Sequence, residues 1–272
     1  MGKIVDGTDH LCGDNFFKLA DGKRVIFSHF ITSEGGDEIL ATLKWMSKNS
    51  GPFILITHNT SRPAGNSDRP IESTCQSWMP PNTLRWYSPN VHVSNPRIRA
   101  IPLGACNRIW SNGNFESIRR HMNKPKKKGL FASFALETNP KERVAAAYQA
   151  NQYCGDKTIA CYQTFHGMNK PIPHEKFCEL MAEHRFVLSP PGAGTDCNRT
   201  WEALYLGCIP ICKRSLTMSF FSDLPIFFVD DWSEVTPENL DKAERDLESK
   251  WANTNRLWMG WWKNEILGIK HD

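Results

Sequence analysis

No stretch of the sequence reaches the ~18 uninterrupted apolar residues that a membrane-spanning helix requires, so no span is expected. Tight Cys-x-x-Cys pairs are also missing, although nine cysteines are present at 12, 75, 106, 154, 161, 178, 197, 208 and 212. Zinc sites favour such tight pairs, so no metal site is expected. The glycine-rich PGAGTD at 191–196 is not a P-loop, because no Gly-Lys-Ser/Thr follows it. It also fails the dinucleotide fingerprint, since Cys197 stands where the third glycine would be. Net charge is only +4, and much of that surplus lies in one run, KPKKK at 124–128. A nucleic-acid face is broader and interleaved with aromatics, so nucleic acid is not an expected partner and the run reads as a solvated loop. The opening MGKIVDGTDH has no apolar core of signal-peptide length, and Asp6 breaks the myristoylation pattern. Several cysteines sit in apolar runs, such as Cys208 and Cys212 around Ile209, where a thiol acts as a small hydrophobe. The expectation is a reducing, cytoplasmic setting.

What is present is an alternation of short apolar runs with amphipathic stretches, the pattern of α/β layering. Strands are expected at 24–30 (RVIFSHF), 52–57 (PFILIT), 99–103 (RAIPL), 129–134 (GLFASF), 185–189 (RFVLS), 209–212 and 226–229. Helices are expected at 38–48, at 141–151 behind a Thr138 or Asn139 cap with Pro140 in the first turn, and at 175–184, 199–206 and 237–250. Residues 61–82 are rich in Pro, Ser, Asn and Gly and read as loop. Polar residues at 111–128 mark a boundary, giving two α/β units at 1–122 and 123–272 with a cleft between them.

The informative segment is HRFVLSPPGAGTDCNRTWEALYLGCIPI at 184–211. A strand delivers the chain to a turn holding Gly192 and Gly194, which let a ligand approach the backbone closely. A helix then begins near Asn198, with its first-turn N–H groups turned toward an anion. Arg199 is placed to pair with a diphosphate, and Glu202, on nearly the same face, to accept from ribose hydroxyls. A structural ion pair between Arg199 and Glu202 is the plainer alternative, and Asp196 reads as the cap of the helix.

The run at 186–211 and LPIFFVDDWSEVTPENL at 224–240 resemble the exostosin-type glycosyltransferases, including those encoded by large DNA viruses. Looser matches are ITHNTSRP (56–63), NPRIRAIPLGACNRIW (95–110) and FASFALETNPKER (131–143). The resemblance implies a GT-B-like α/β fold, with two Rossmann-like domains facing across a cleft and the last helix packing back on the first. The second domain would hold the nucleotide-sugar, a UDP-sugar foremost, and a glycan or glycoprotein would be the acceptor. It implies no metal and no further cofactor, with protein cations and a helix N-terminus in place of a divalent ion. Carried over residue by residue, Gly192, Gly194 and Thr195 would lie against the donor, Arg199 and Arg143 against the phosphates, and Glu202 against the ribose.

The acceptor hydroxyl needs a base, and Asp14, His29 and His58 are candidates at expected strand ends, with Asn59 and Asp68 as further acceptor or sugar contacts. Trp78, Trp86 and Trp110 are candidates for stacking on a sugar, whereas Trp251, Trp258, Trp261 and Trp262 have the spacing of a packed helix. Inverting chemistry is favoured by analogy. The rival readings are a GDP-sugar-dependent, fucosyltransferase-like enzyme and a non-catalytic nucleotide- or glycan-binding module.

Overall fold

The computed structural model describes residues 4, 9–29, 48, 51–58, 79–92, 94–155, 161–166 and 172–268. The helix expected at 38–48 lies outside the described residues apart from Lys48, as do Cys75, Trp78 and most of the 61–82 segment. Strands β1 (Val25–His29), β2 (Phe53–His58), β3 (Thr83–Ser88) and β4 (Ile98–Ala100) form one parallel sheet in that order. All six residues of β2 are buried, which is why FILITH reads as a nearly continuous apolar run.

The second sheet contains β5 (Lys127–Ala135), β6 (Tyr162–His166), β7 (His184–Leu188), β8 (Ile209–Lys213) and β9 (Phe227–Val229). Its order is β6-β5-β7-β8-β9, all parallel. The chain therefore leaves β5 to one side and comes back to β7 on the other. That reversal opens a crevice at the carboxyl ends of β5 and β7, the place where open parallel sheets bind ligands.

Helices flank the strands. They are α1 (Gly13–Phe17), α2 (Phe115–Arg119), α3 (Pro140–Cys154), α4 (His174–Ala182), α5 (Asn198–Tyr205), α6 (Leu216–Ser219), α7 (Pro237–Asp246) and α8 (Met259–Leu267). Asn139 caps α3 by accepting from Glu142 N, with Pro140 at the first helical position, where its missing N–H costs nothing. Helix α5 ends at Gly207, whose φ of 74° suits the left-handed turn that stops a helix. Around Asp14 there is the short α1 rather than the expected strand end.

The lysine run is loop only over 124–126. Residues 127 and 128 open β5, and Lys126 Nζ donates to the carbonyls of Ala182 (2.7 Å) and Leu206, at the carboxyl ends of α4 and α5. A cation there complements two helix dipoles. The cysteines also need one correction, because Cys154 and Cys161 form a disulfide, whereas Cys12, Cys106, Cys178, Cys197, Cys208 and Cys212 are free.

The carboxyl edges of the two sheets face each other. Asn90, after β3, accepts from Thr195 N at 2.9 Å, and Leu103 N, after β4, donates to Asp196 Oδ2 at 2.8 Å. Asn198 Nδ2 reaches Gly104 O at 2.7 Å. The C-terminal stretch crosses back to the first sheet, where Met259 N donates to Asp9 O and Trp262 packs edge-on against Phe16. Trp251 and Trp262 are buried, and Trp258 and Trp261 partly so, in keeping with a packed surface. Among the described residues no helix is long and apolar enough to cross a membrane.

Candidate functional site

A cavity of about 750 Å³ opens at the carboxyl end of β5, against the N-terminal turns of α4 and α5. It is lined by Phe134 and Ala135 at the end of β5, Arg143 on α3, His174 on α4, and Arg199 and Glu202 on α5. Arg143 is buried, with Nε donating to Pro191 O at 3.0 Å and Nη1 to Ala135 O at 2.7 Å. Burial, and then the charge of Arg199, push its pKa down to about 10, so it stays cationic at neutral pH. Both guanidiniums lie over the Phe134 ring, Arg143 at 5.9 Å and Arg199 at 5.3 Å. Neither has a carboxylate partner among the described residues. Arg199 Nε and Nη1 are buried and have no hydrogen-bond acceptor among the described residues. Each such orphaned donor costs about 1–3 kcal/mol, more when charged, so the arrangement favours an anion entering the cavity.

Glu202 does not pair with Arg199. It is buried, and its Oε1 lies 3.1 Å from Nε2 of His174. His174 opens α4, one residue before the helix start that the sequence pattern implies, and nothing local in the sequence points it at Glu202. Burial works against its protonation, but the hydrogen bond and charge of Glu202 outweigh burial and raise its pKa above 6.5. Among the described residues no cluster of three His, Cys, Asp or Glu side chains is placed to hold a metal ion.

The glycine turn borders a second cavity of about 400 Å³, lined by Gly192, Gly194, Thr195, Asn139, Glu142, Lys213, Arg214 and Asp230. The expected donor-contacting residues are thus divided between two sides of one loop. Neither Gly192 nor Gly194 has a positive φ. A Cβ at Gly192 would lie 2.8 Å from Arg143 Nη2, so a side chain there would push the guanidinium aside. Here the cations are paired. Arg214 Nε meets Asp230 Oδ1 at 3.1 Å, and Lys213 Nζ donates to Asp230 O at 2.6 Å.

No known family model matches the chain. Among solved structures it is similar to the apo structure of OtsA, at a TM-score of 0.53 and 10% identity over 95% of this chain and 76% of that one. It is likewise similar to a structure described as trehalose-6-phosphate from E. coli bound with UDP-2-fluoro glucose. There the TM-score is 0.54 at 10% identity, over 94% of this chain and 75% of that one. The fold is GT-B-like.

Within this GT-B-like frame several expected residues have other work. His58 is 1% exposed, stacks on Phe16 at 5.2 Å and holds Pro102 O through Nε2 at 3.0 Å, which makes it a core residue rather than a base. Asp14 Oδ2 accepts from Arg108 N at 3.1 Å and lines none of the cavities described. His29 is the last residue of β1, whereas Asn59 and Asp68 lie outside the described residues. Asp196 does not cap α5, whose N-cap is Cys197. Instead its carboxylate accepts from Trp201 Nε1 at 2.8 and 2.9 Å and from Leu103 N, and burial raises its pKa to about 7. Trp86 is buried, with Nε1 donating to Thr57 Oγ1, so it cannot stack on a sugar. Trp110 is 62% exposed and lines a third cavity, of about 420 Å³, with Asp9, His10, Arg108 and Arg119.

Proposed function

We propose that the chain is a glycosyltransferase that moves a sugar from a nucleotide-sugar, a UDP-sugar, to a glycan acceptor. One observation carries this reading. At the switch point of a parallel sheet, Arg199 presents a buried Nε and Nη1 that have no acceptor among the described residues, beside the buried guanidinium of Arg143, which no described carboxylate neutralises. A diphosphate carries the charge and the acceptor oxygens to satisfy both cations, in the bidentate geometry that guanidinium favours. As the bond to the sugar breaks, negative charge grows on the leaving diphosphate, and preorganised cations stabilise it most at that moment. Glu202, one turn along α5 from Arg199, would accept from the ribose hydroxyls. A structure of similar fold that binds UDP-2-fluoro glucose supports a UDP-sugar as the donor.

In this reading residues 1–122 form the acceptor side and 123–272 the donor side, and the PPGAGTD turn with the WEAL helix gives the chain its exostosin-like character. His29 stands on the carboxyl edge of the first sheet, which faces the donor side, and is the preferred base; Asp68 is its alternative and Asn59 a sugar contact. The transfer would be metal-independent and inverting. A nucleotide-binding module without transfer is the second reading, favoured by the structural roles of His58 and Asp14.

Incubation with a panel of UDP- and GDP-sugars, scored by released nucleotide, tests the proposal. Slow hydrolysis of a UDP-sugar, lost in Arg199→Ala and weakened in Glu202→Ala, is the expected result. Release from GDP-sugars alone would move the assignment to the fucosyltransferase-like reading. UDP binding with no hydrolysis of any donor, and no transfer to any glycan tried, would leave only the binding module.

A further inference from the structure

The cavity holds one more group whose bonding is incomplete. His174 is the first residue of α4, its side chain is 9% exposed, and it lines the same space as Arg143, Arg199 and Glu202. Its Nε2 is taken by Glu202 Oε1, and its Nδ1 is buried without a partner. A carboxylate can only accept, so Nε2 carries a proton whether the ring is neutral or cationic. Nδ1 is then an acceptor in the neutral ring and a donor in the imidazolium. A ligand with anionic oxygens can satisfy Nδ1 only in the second state.

We infer that His174 is a donor-binding residue whose Nδ1–H hydrogen-bonds an oxygen of the nucleotide diphosphate while its Nε2 holds Glu202 toward the ribose, so that nucleotide binding takes up a proton. The inference rests on the diphosphate reading of this cavity. Several charged or titratable groups face the ring or share its cavity. Helix α5 contributes Glu202 and Arg199, α3 contributes Arg143, and α4 itself contributes Glu175 and Cys178. Both guanidiniums oppose a third cation when the cavity is empty, and an incoming diphosphate reverses that field. Glu202 already favours the charged ring against the effect of burial. The sign follows. A histidine whose pKa the bound diphosphate raises further takes up a proton on binding wherever the ring of the free protein is neutral, and affinity then falls as pH rises.

The test is calorimetric titration of the protein with UDP-glucose from about pH 6 to about pH 9, in buffers of different ionisation enthalpy. The diphosphate of UDP-glucose is a diester and does not itself titrate in this range. The expected result is net proton uptake on binding, with affinity falling by up to about tenfold per pH unit above the pKa of His174. His174→Gln should bind about tenfold more weakly on the acid side and show neither uptake nor slope. Binding of UDP-glucose by the unaltered protein with flat affinity and no proton exchange would overturn the role of His174 and leave the diphosphate reading standing. No binding of UDP-glucose at any pH would remove the diphosphate reading and this inference together.

Discussion

The cavities on the two sides of the glycine turn are close in position and opposite in bonding. On the Gly192–Thr195 side, Lys213 and Arg214 are tied to Asp230, a pairing of groups that lie partly in solvent. On the other side, Arg143 and Arg199 share one aromatic ring and, among the described residues, have no acidic partner and leave two donors unsatisfied. Cations occur in both places, so a count of charge does not separate them. The difference lies in whether the protein itself completes the hydrogen bonding, and an incomplete set of cations lining a cavity is one that an anionic ligand would complete.

The largest effect expected from this contrast is for Arg199→Ala. UDP-glucose affinity should fall roughly 100- to 1,000-fold, as the loss of two charge-assisted hydrogen bonds requires. The melting temperature of the free protein should hold or rise, because a half-buried charge with two unsatisfied donors is removed. Calorimetry and thermal melting check the two halves of this expectation.

The next effect concerns Asp196, which joins the two sheets' carboxyl edges through Leu103 N and Trp201. Its native pKa of about 7 lies above the ordinary 3.8, so the fold binds this proton more tightly than the unfolded chain does. That contribution is whole below about pH 4 and is lost as pH rises to and through 7, by an amount on the order of 4 kcal/mol. Urea unfolding at several pH values should show this slope in the native sequence and a flatter profile in Asp196→Asn, which keeps an acceptor oxygen.

His58→Ala tests the first sheet. It should lower stability by about 2 kcal/mol through its lost ring packing and hydrogen bond, yet leave UDP-glucose affinity within about twofold. A large loss of binding in a stably folded His58→Ala would return His58 to the site. Gly192→Ala should cost about tenfold in affinity by crowding Arg143, with little change in stability. Arg214→Ala, on the paired side, should change affinity least, by less than about twofold.

The secondary structure around the site was largely legible. The run at 186–211 alternates strand, turn, helix and strand as its pattern of apolar residues and glycines implies, and Asn139-Pro140 opens α3 as capping chemistry requires. β6 was not legible, since YQTFH has no apolar run and belongs to an edge strand that is only half covered. Tertiary partners were the least legible. Spacing put Glu202 near Arg199, but only the approach of α4 gives it His174. Nothing local marks Asp196 as a link to Leu103 rather than a helix cap, or Gly192 as room for a guanidinium rather than a ligand. The reversal of strand order that creates the crevice is likewise a property of the assembled sheet.

The most direct test of the central claim is a crystal structure with UDP-glucose bound. The diphosphate should lie at the carboxyl end of β5, with its oxygens about 3 Å from Arg199 Nε and Nη1 and close to Arg143. A diphosphate found instead beside Lys213 and Arg214, with Arg199 still unpartnered, would contradict the account.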